Sequence, residues 1–188
     1  MSTTHADGRA AGYTGGSTLP FRTELRRQLG RRRTQLAIGF LALLPVILAI
    51  AFTVGSSSAD SDADGLIELG TRGGMNFTVF ALFMSVGFLL IVVVALFFGD
   101  SVASEASWSS LRYLLAIPVP RSRLLTQKAL VSATLSSAAI LVLVGVSLLI
   151  GTVMYGAESL ITPLGEGLPY GTSLLRLLIA VAYIGINL

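Results

Sequence analysis

The stretch from Leu36 to Val54 contains no charged residue, and nothing else in the chain restricts its fold as much. As a helix rising 1.5 Å per residue it reaches roughly 28 Å, close to the ~30 Å hydrocarbon core of a bilayer. Pro45 sits near its middle, where a proline in lipid bends a span more often than it ends one. Two further runs have the same character, Phe77 to Phe98 and Leu130 to Tyr155. The third run opens on small residues, among them Ser132, Ala133, Ser136 and Ala139. Small side chains let helix backbones approach closely in lipid, so this end is expected to pack on another helix. A fourth run, Leu174 to Leu188, holds one charge, Arg176, and at roughly 22 Å falls short of a full span. The sequence stops inside that run, and the expectation is a truncated chain.

Continuous apolar runs of this length rule against the short alternating segments of a membrane barrel. Charged residues make up 12% of the chain, against about 25% in soluble domains. The expected fold is therefore all-α, a polytopic helical membrane protein. It has three clear transmembrane helices (about 36–54, 77–98 and 130–155) and a partial fourth (174–188), in one transmembrane domain over residues 20–188. Residues 1–19 are rich in Gly, Ser and Thr and read as a disordered tail.

Several kinds of chemistry have no material here. There is no cysteine, and the single histidine, His5, lies in the polar tail. Thiolate sites, His-based zinc sites and Ser-His or Cys-His nucleophiles are excluded, so no catalytic, metal or cofactor residues are assigned. The spans hold no Asp, Glu, His or Lys except at their edges. That speaks against a proton-driven carrier or an intramembrane hydrolase, and leaves room for an apolar or amphipathic substrate. No Gly-x-x-x-x-Gly-Lys-Ser/Thr occurs, so the chain lacks the phosphate loop of a P-loop ATPase. Asn76-Phe77-Thr78 matches a glycosylation acceptor but abuts the membrane, and is treated as chance.

Loop charges set orientation. The segment from residue 20 to the first span holds Arg22, Arg26, Arg27, Arg31, Arg32 and Arg33, against the single acid Glu24. The next loop is acidic, with Asp60, Asp62, Asp64 and Glu68 against Arg72. The third is basic, with Arg112, Arg121, Arg123 and Lys128 against Asp100 and Glu105, and the fourth holds only Glu158 and Glu166. This alternation is that of a plasma-membrane protein with a cytoplasmic amino terminus. Arg31-Arg32-Arg33 also resembles a twin-arginine export signal, but the apolar run is longer than the usual 7–15 residues and more spans follow. An arginine cluster beside a span is more simply an orientation signal than a nucleic-acid site. Phe21, Leu25 and Leu29 recur at four-residue spacing among these arginines, the pattern of a short amphipathic helix at the membrane surface.

The loop from Gly99 to Lys128 is long for a connection between spans. Trp108, Leu111 and Leu115 fall at helical spacing, and Pro118 and Pro120 end the helix before Arg121. This is an amphipathic helix between spans two and three with a stiff basic exit. It suits either the membrane surface or a groove on a cytoplasmic partner.

In this loop the sequence resembles the permease subunits of ATP-binding-cassette (ABC) transporters of the type-two exporter class. Their pattern is a glutamate, three residues, a small pair usually Gly-Thr, a leucine, and later a Pro-hydrophobic-x-Arg turn. Here Glu105 is followed by Ala106-Ser107-Trp108, Ser109-Ser110, Leu111, and then Pro118-Val119-Pro120-Arg121. The Ser-Ser pair departs from Gly-Thr but stays small. The resemblance extends to the basic lead-in from Phe21 and to the acidic first external loop. It implies a coupling helix that seats on a separate ATPase subunit, with two permease and two ATPase subunits assembled in a prokaryotic plasma membrane. Closure of the ATPase pair would then switch the spans between two conformations.

On that resemblance, Trp108, Leu111 and Leu115 form the apolar docking face. Glu105 and Arg112 make polar contacts, and Pro118, Pro120 and Arg121 hold the turn. The second permease would be another copy or a sister subunit. The competing reading is a non-transporting anchor or assembly protein that uses the same loop to hold a partner.

Overall fold

A computed structural model describes residues 20–55, 64–107, 121–163 and 165–188. Helix α1 (Phe21–Leu29) leads into α2 (Arg32–Gly55), followed by α3 (Asp64–Thr71), α4 (Gly74–Val86) and α5 (Leu89–Ser107). The long helix α6 (Arg121–Tyr155) precedes a small hairpin, β1 (Leu160–Ile161) and β2 (Gly167–Leu168), and α7 (Tyr170–Asn187) closes the series. The tail expected over residues 1–19 lies outside the described residues.

Three helices are long and apolar enough to cross a membrane, namely Arg32–Gly55, Arg123–Tyr155 and Tyr170–Asn187. They carry apolar side chains on their outer faces: Val153 is 78% exposed and Ile186 85%. Contiguous surfaces of that kind are satisfied by lipid. Helix α2 runs through Pro45 without ending. Helix α7 begins at Tyr170, ahead of the apolar run, because Pro169 precedes it with φ −53° and Ser173 turns its hydroxyl back onto the carbonyl oxygens of Leu168 and Pro169. Small polar residues at 171–173 thus join the helix, which hydropathy alone does not register.

The apolar run from Phe77 to Phe98 is shared by two helices. α4 and α5 meet at Gly87–Phe88 with a bend of 57°, and together they are long and apolar enough for a fourth span that is broken at the bend, or for a re-entrant loop. The hydroxyl of Ser85 donates to the carbonyl of Ala81 at 2.6 Å, just before the break. Such back-bonding loosens the helical ladder, and glycine is a poor helix former.

Contacts sort the chain into two units, one formed from the chain up to Gln35 with Val93–Ser136, the other from Leu36–Val92 with Ser137–Leu188. In the second unit, α4 crosses α6 at backbone contact. A Cβ on Gly74 would lie 2.6 Å from the Thr152 nitrogen, and one on Gly151 2.7 Å from the Gly74 carbonyl oxygen. Only glycine fits at such a crossing. Beside it Phe52 meets Phe77 edge-on with ring centroids 5.9 Å apart, and Tyr155 lies 5.6 Å from Phe77.

The hairpin pairs Leu160 with Leu168 and Ile161 with Gly167. Its turn follows from sequence: the Gly165 N–H donates to the Thr162 carbonyl, Pro163 occupies the position where a fixed φ is favoured, and Gly165 takes φ +85°. Asn76 of α4 holds β1 like a further strand. Its amide donates to the Ile161 carbonyl at 2.8 Å and accepts from the Ile161 N–H at 2.9 Å. With Asn76 only 5% exposed and Thr78 fully buried, this is a structural asparagine.

Candidate functional site

The segment singled out by sequence joins α5 to α6. Glu105 lies near the end of α5 and Arg121 opens α6. Trp108, Leu111, Arg112, Leu115, Pro118 and Pro120 lie outside the described residues. What is described is the pair of stems from which that segment emerges, and a charged cluster that ties them together in the first unit.

The stems are stapled by hydrogen bonds from α6 to carbonyls of α5. Lys128 Nζ donates to the Ser101 carbonyl at 3.0 Å, and Ser132 Oγ donates to the Phe97 carbonyl at 3.0 Å. Ser132 and Ser136 are buried while Ala133, Thr134, Ser137 and Ala138 are exposed. The small residues that open the third run therefore present one packed face, as their composition led us to expect. Lys128 is 7% exposed. A buried ammonium is costly unless its donors are met, so the lysine fixes the spacing of the two helices wherever it finds its acceptors.

Helix α1 closes the cluster from the amino-terminal side. Glu24 Oε1 lies 4.0 Å from Lys128 Nζ and accepts from Arg27 at 3.0 Å and Gln28 at 3.3 Å. Asp100 of α5 takes Arg31 on one oxygen at 2.7 Å and Arg33 on the other at 3.0 Å. Charge-assisted bonds of this length are among the stronger contacts a side chain makes. The Asp100 and Glu24 side chains are each 12% exposed, so solvent screens them little. The joint between α1 and α2 is also pinned, since Gln35 Nε2 donates to the Leu29 carbonyl, one of the acceptors a helix end leaves open.

The apolar stripe of α1 is not what it packs with. Gln28 is the buried residue of the helix, and Glu24 shares its face. Phe21 and Leu29 stay 37% and 42% exposed. The sequence reading named none of Glu24, Asp100, Ser101 or Lys128 as functional. A signal was present: Glu24 is the lone acid in a run of arginines, and Asp100 is an acid at the edge of an apolar run. A minority charge inside an opposite field is where a pair is to be sought.

Among the described residues no group of His, Cys, Asp and Glu could hold a metal ion. A groove of about 320 Å³ in the second unit is lined by Val46, Ala49, Ile50, Leu149 and Val153 among others, with Thr53 as its one polar side chain. It offers no set of polar anchors for a specific ligand. The charged cluster joins α1 to α6 and α6 to α5.

No curated protein and no solved structure matches the chain. A family described as ABC-2 family transporter protein matches residues 23–188, from within α1 to the last residue. A predominantly helical chain with apolar spans agrees with that match, and the chain belongs to the ABC-2 family, the membrane permease components of ABC transporters.

Proposed function

We propose that this permease is driven by a separate ABC ATPase subunit and exports its substrate from a prokaryotic cytoplasm. The ATPase docks on the segment between α5 and α6, with Trp108, Leu111 and Leu115 as its apolar contact, Glu105 and Arg112 beside them, and Pro118, Pro120 and Arg121 stiffening the exit. The amino terminus is cytoplasmic, which agrees with the alternation of basic and acidic loops. A second permease subunit, identical or sister, completes the assembly.

The observation that carries this reading is the stapling of the two stems. A segment emerging from helices joined at Lys128–Ser101 and Ser132–Phe97 transmits a displacement instead of absorbing it. Binding of nucleotide to the ATPase then stabilises one of two arrangements of the spans, which is all that alternating access requires energetically. With no acid, histidine or lysine away from the span edges, the substrate class best supported is apolar or amphipathic.

The test is co-purification in mild detergent. Recovery of a Walker-motif ATPase with the wild-type chain, and its loss on Leu111→Glu with Leu115→Glu, is the expected result. A folded double variant that retains the ATPase undiminished would remove the docking assignment. A folded wild type that brings no ATPase would favour the anchor or assembly role.

A further inference from the structure

We propose that α1 is a binding element for anionic phospholipid, with Arg22 and Arg26 as the residues that take the headgroup phosphates. The inference rests on α2 being a membrane span and not on coupling to an ATPase, so either can fail without the other.

The arginines before the first span are of two kinds. Arg31 and Arg33 are committed to Asp100, and Arg27 to Glu24. Arg22 and Arg26 are exposed and pair with no acid among the described residues. Orientation signalling alone does not call for this division.

The helical wheel gives the division a direction. At about 100° per residue, three stripes run along α1 side by side. Glu24 and Gln28 form the first, turned into the protein. Phe21, Leu25 and Leu29 form the second, with Phe21 and Leu29 exposed and Leu25 half-buried. Arg22 and Arg26 form the third, on the flank of the apolar stripe away from the protein contact.

Only Gly30 and Arg31 separate α1 from the first residue of α2, so α1 lies within a few residues of where that span enters lipid. A helix held there, with an apolar stripe and arginines along one margin, has the pattern of an interfacial helix. Its apolar face sinks to the acyl boundary while the guanidinium groups rise to the phosphates. Guanidinium matches phosphate geometry with paired donors, and anionic leaflets attract basic residues beside a span. The lipid margin and Glu24, which pairs with Lys128, are on one short helix, and the Asp100 pairs follow at once from Arg31 and Arg33, so a lipid that holds α1 also holds the stems of the connecting segment.

The full chain is reconstituted into phosphatidylcholine vesicles containing a photoactivatable phosphatidylglycerol or its phosphatidylcholine counterpart, and labelled α1 peptides are counted by mass spectrometry. The expected result is preferential labelling by the anionic probe and a fall of about thirtyfold in Arg22→Gln with Arg26→Gln, the effect of two basic residues at an anionic surface. Arg22→Lys with Arg26→Lys should retain most of the labelling. Equal labelling by both probes, or labelling unchanged in the glutamine variant, would overturn the proposal. Should the glutamine variant not fold, raising ionic strength decides on the wild type: anionic labelling that does not decline with salt would be equally decisive against it.

Discussion

Asp100 takes one arginine on each carboxylate oxygen, and the two partners are not equivalent. The Arg31 side chain is 23% exposed and that of Arg33 76%. An exposed ion pair contributes little, whereas a half-buried guanidinium left without its acceptor carries an uncompensated desolvation cost. Asp100→Asn and Arg31→Gln are therefore each expected to lower stability by about 1.5–3 kcal/mol, the range for hydrogen bonds to charged groups. Arg33→Gln should stay within about 0.5 kcal/mol of wild type. Melting temperatures in detergent would check the order, and an Arg33 variant as damaging as the Arg31 variant would contradict it. Neither ranking was legible in the sequence, where the three consecutive arginines look alike and serve equally as an orientation signal. Asn76 is the opposite case. Its place at the membrane edge already made glycosylation a chance match, and its paired bonds to Ile161 supply the physical reason.

Among the elements, the apolar runs were legible because a bilayer leaves a helix little choice: every backbone donor must be met within the segment. The ends and breaks were less so. The break at Gly87 lies in a run of uninterrupted hydropathy, where the only hints are a serine and a glycine two residues apart. The hairpin, by contrast, had a local signal in Thr162-Pro163 and Gly165, passed over because two-residue strands leave no periodicity to read. Two glycines of α4 and its junction with α5 separate packing from conformation. Gly87 has open space where a Cβ would stand and an ordinary helical φ of −63°, so Gly87→Ala meets no clash and favours a continuous helix by about 1 kcal/mol. Gly74→Ala drives a methyl into the backbone of Gly151 and Thr152, which has no flexible side chain to yield. It is expected to cost about 1–3 kcal/mol, the range for overpacking. Thermal stability measured on both variants should move in opposite directions. Equal tolerance of the two would mean that the α4–α6 crossing is looser than the contact distances imply.

For the molecule as a whole, family membership and the number of apolar runs were both readable from sequence, because permease loops are marked by residue pattern and spans by composition. The ion cluster was not, because its members come from three separate stretches around residues 24–33, 100 and 128, and only folding brings them together. The bent α4–α5 pair leaves one question for experiment, whether it crosses the bilayer or turns back. Helix α6 is one uninterrupted helix of 35 residues, roughly 50 Å long and more than enough to cross. The alternation of basic and acidic loops argues that the α4–α5 pair crosses as well. Because the chain has no cysteine, each position can be marked singly without background. Thr23→Cys and Ala103→Cys, both at exposed positions, are expected to react with an impermeant maleimide only after the membrane is opened. Glu68→Cys and Glu158→Cys, likewise exposed, should react in intact cells. If Ala103→Cys labels from the same side as Glu68→Cys, the α4–α5 pair re-enters instead of spanning, and the stems of the connecting segment would then face away from any cytoplasmic ATPase.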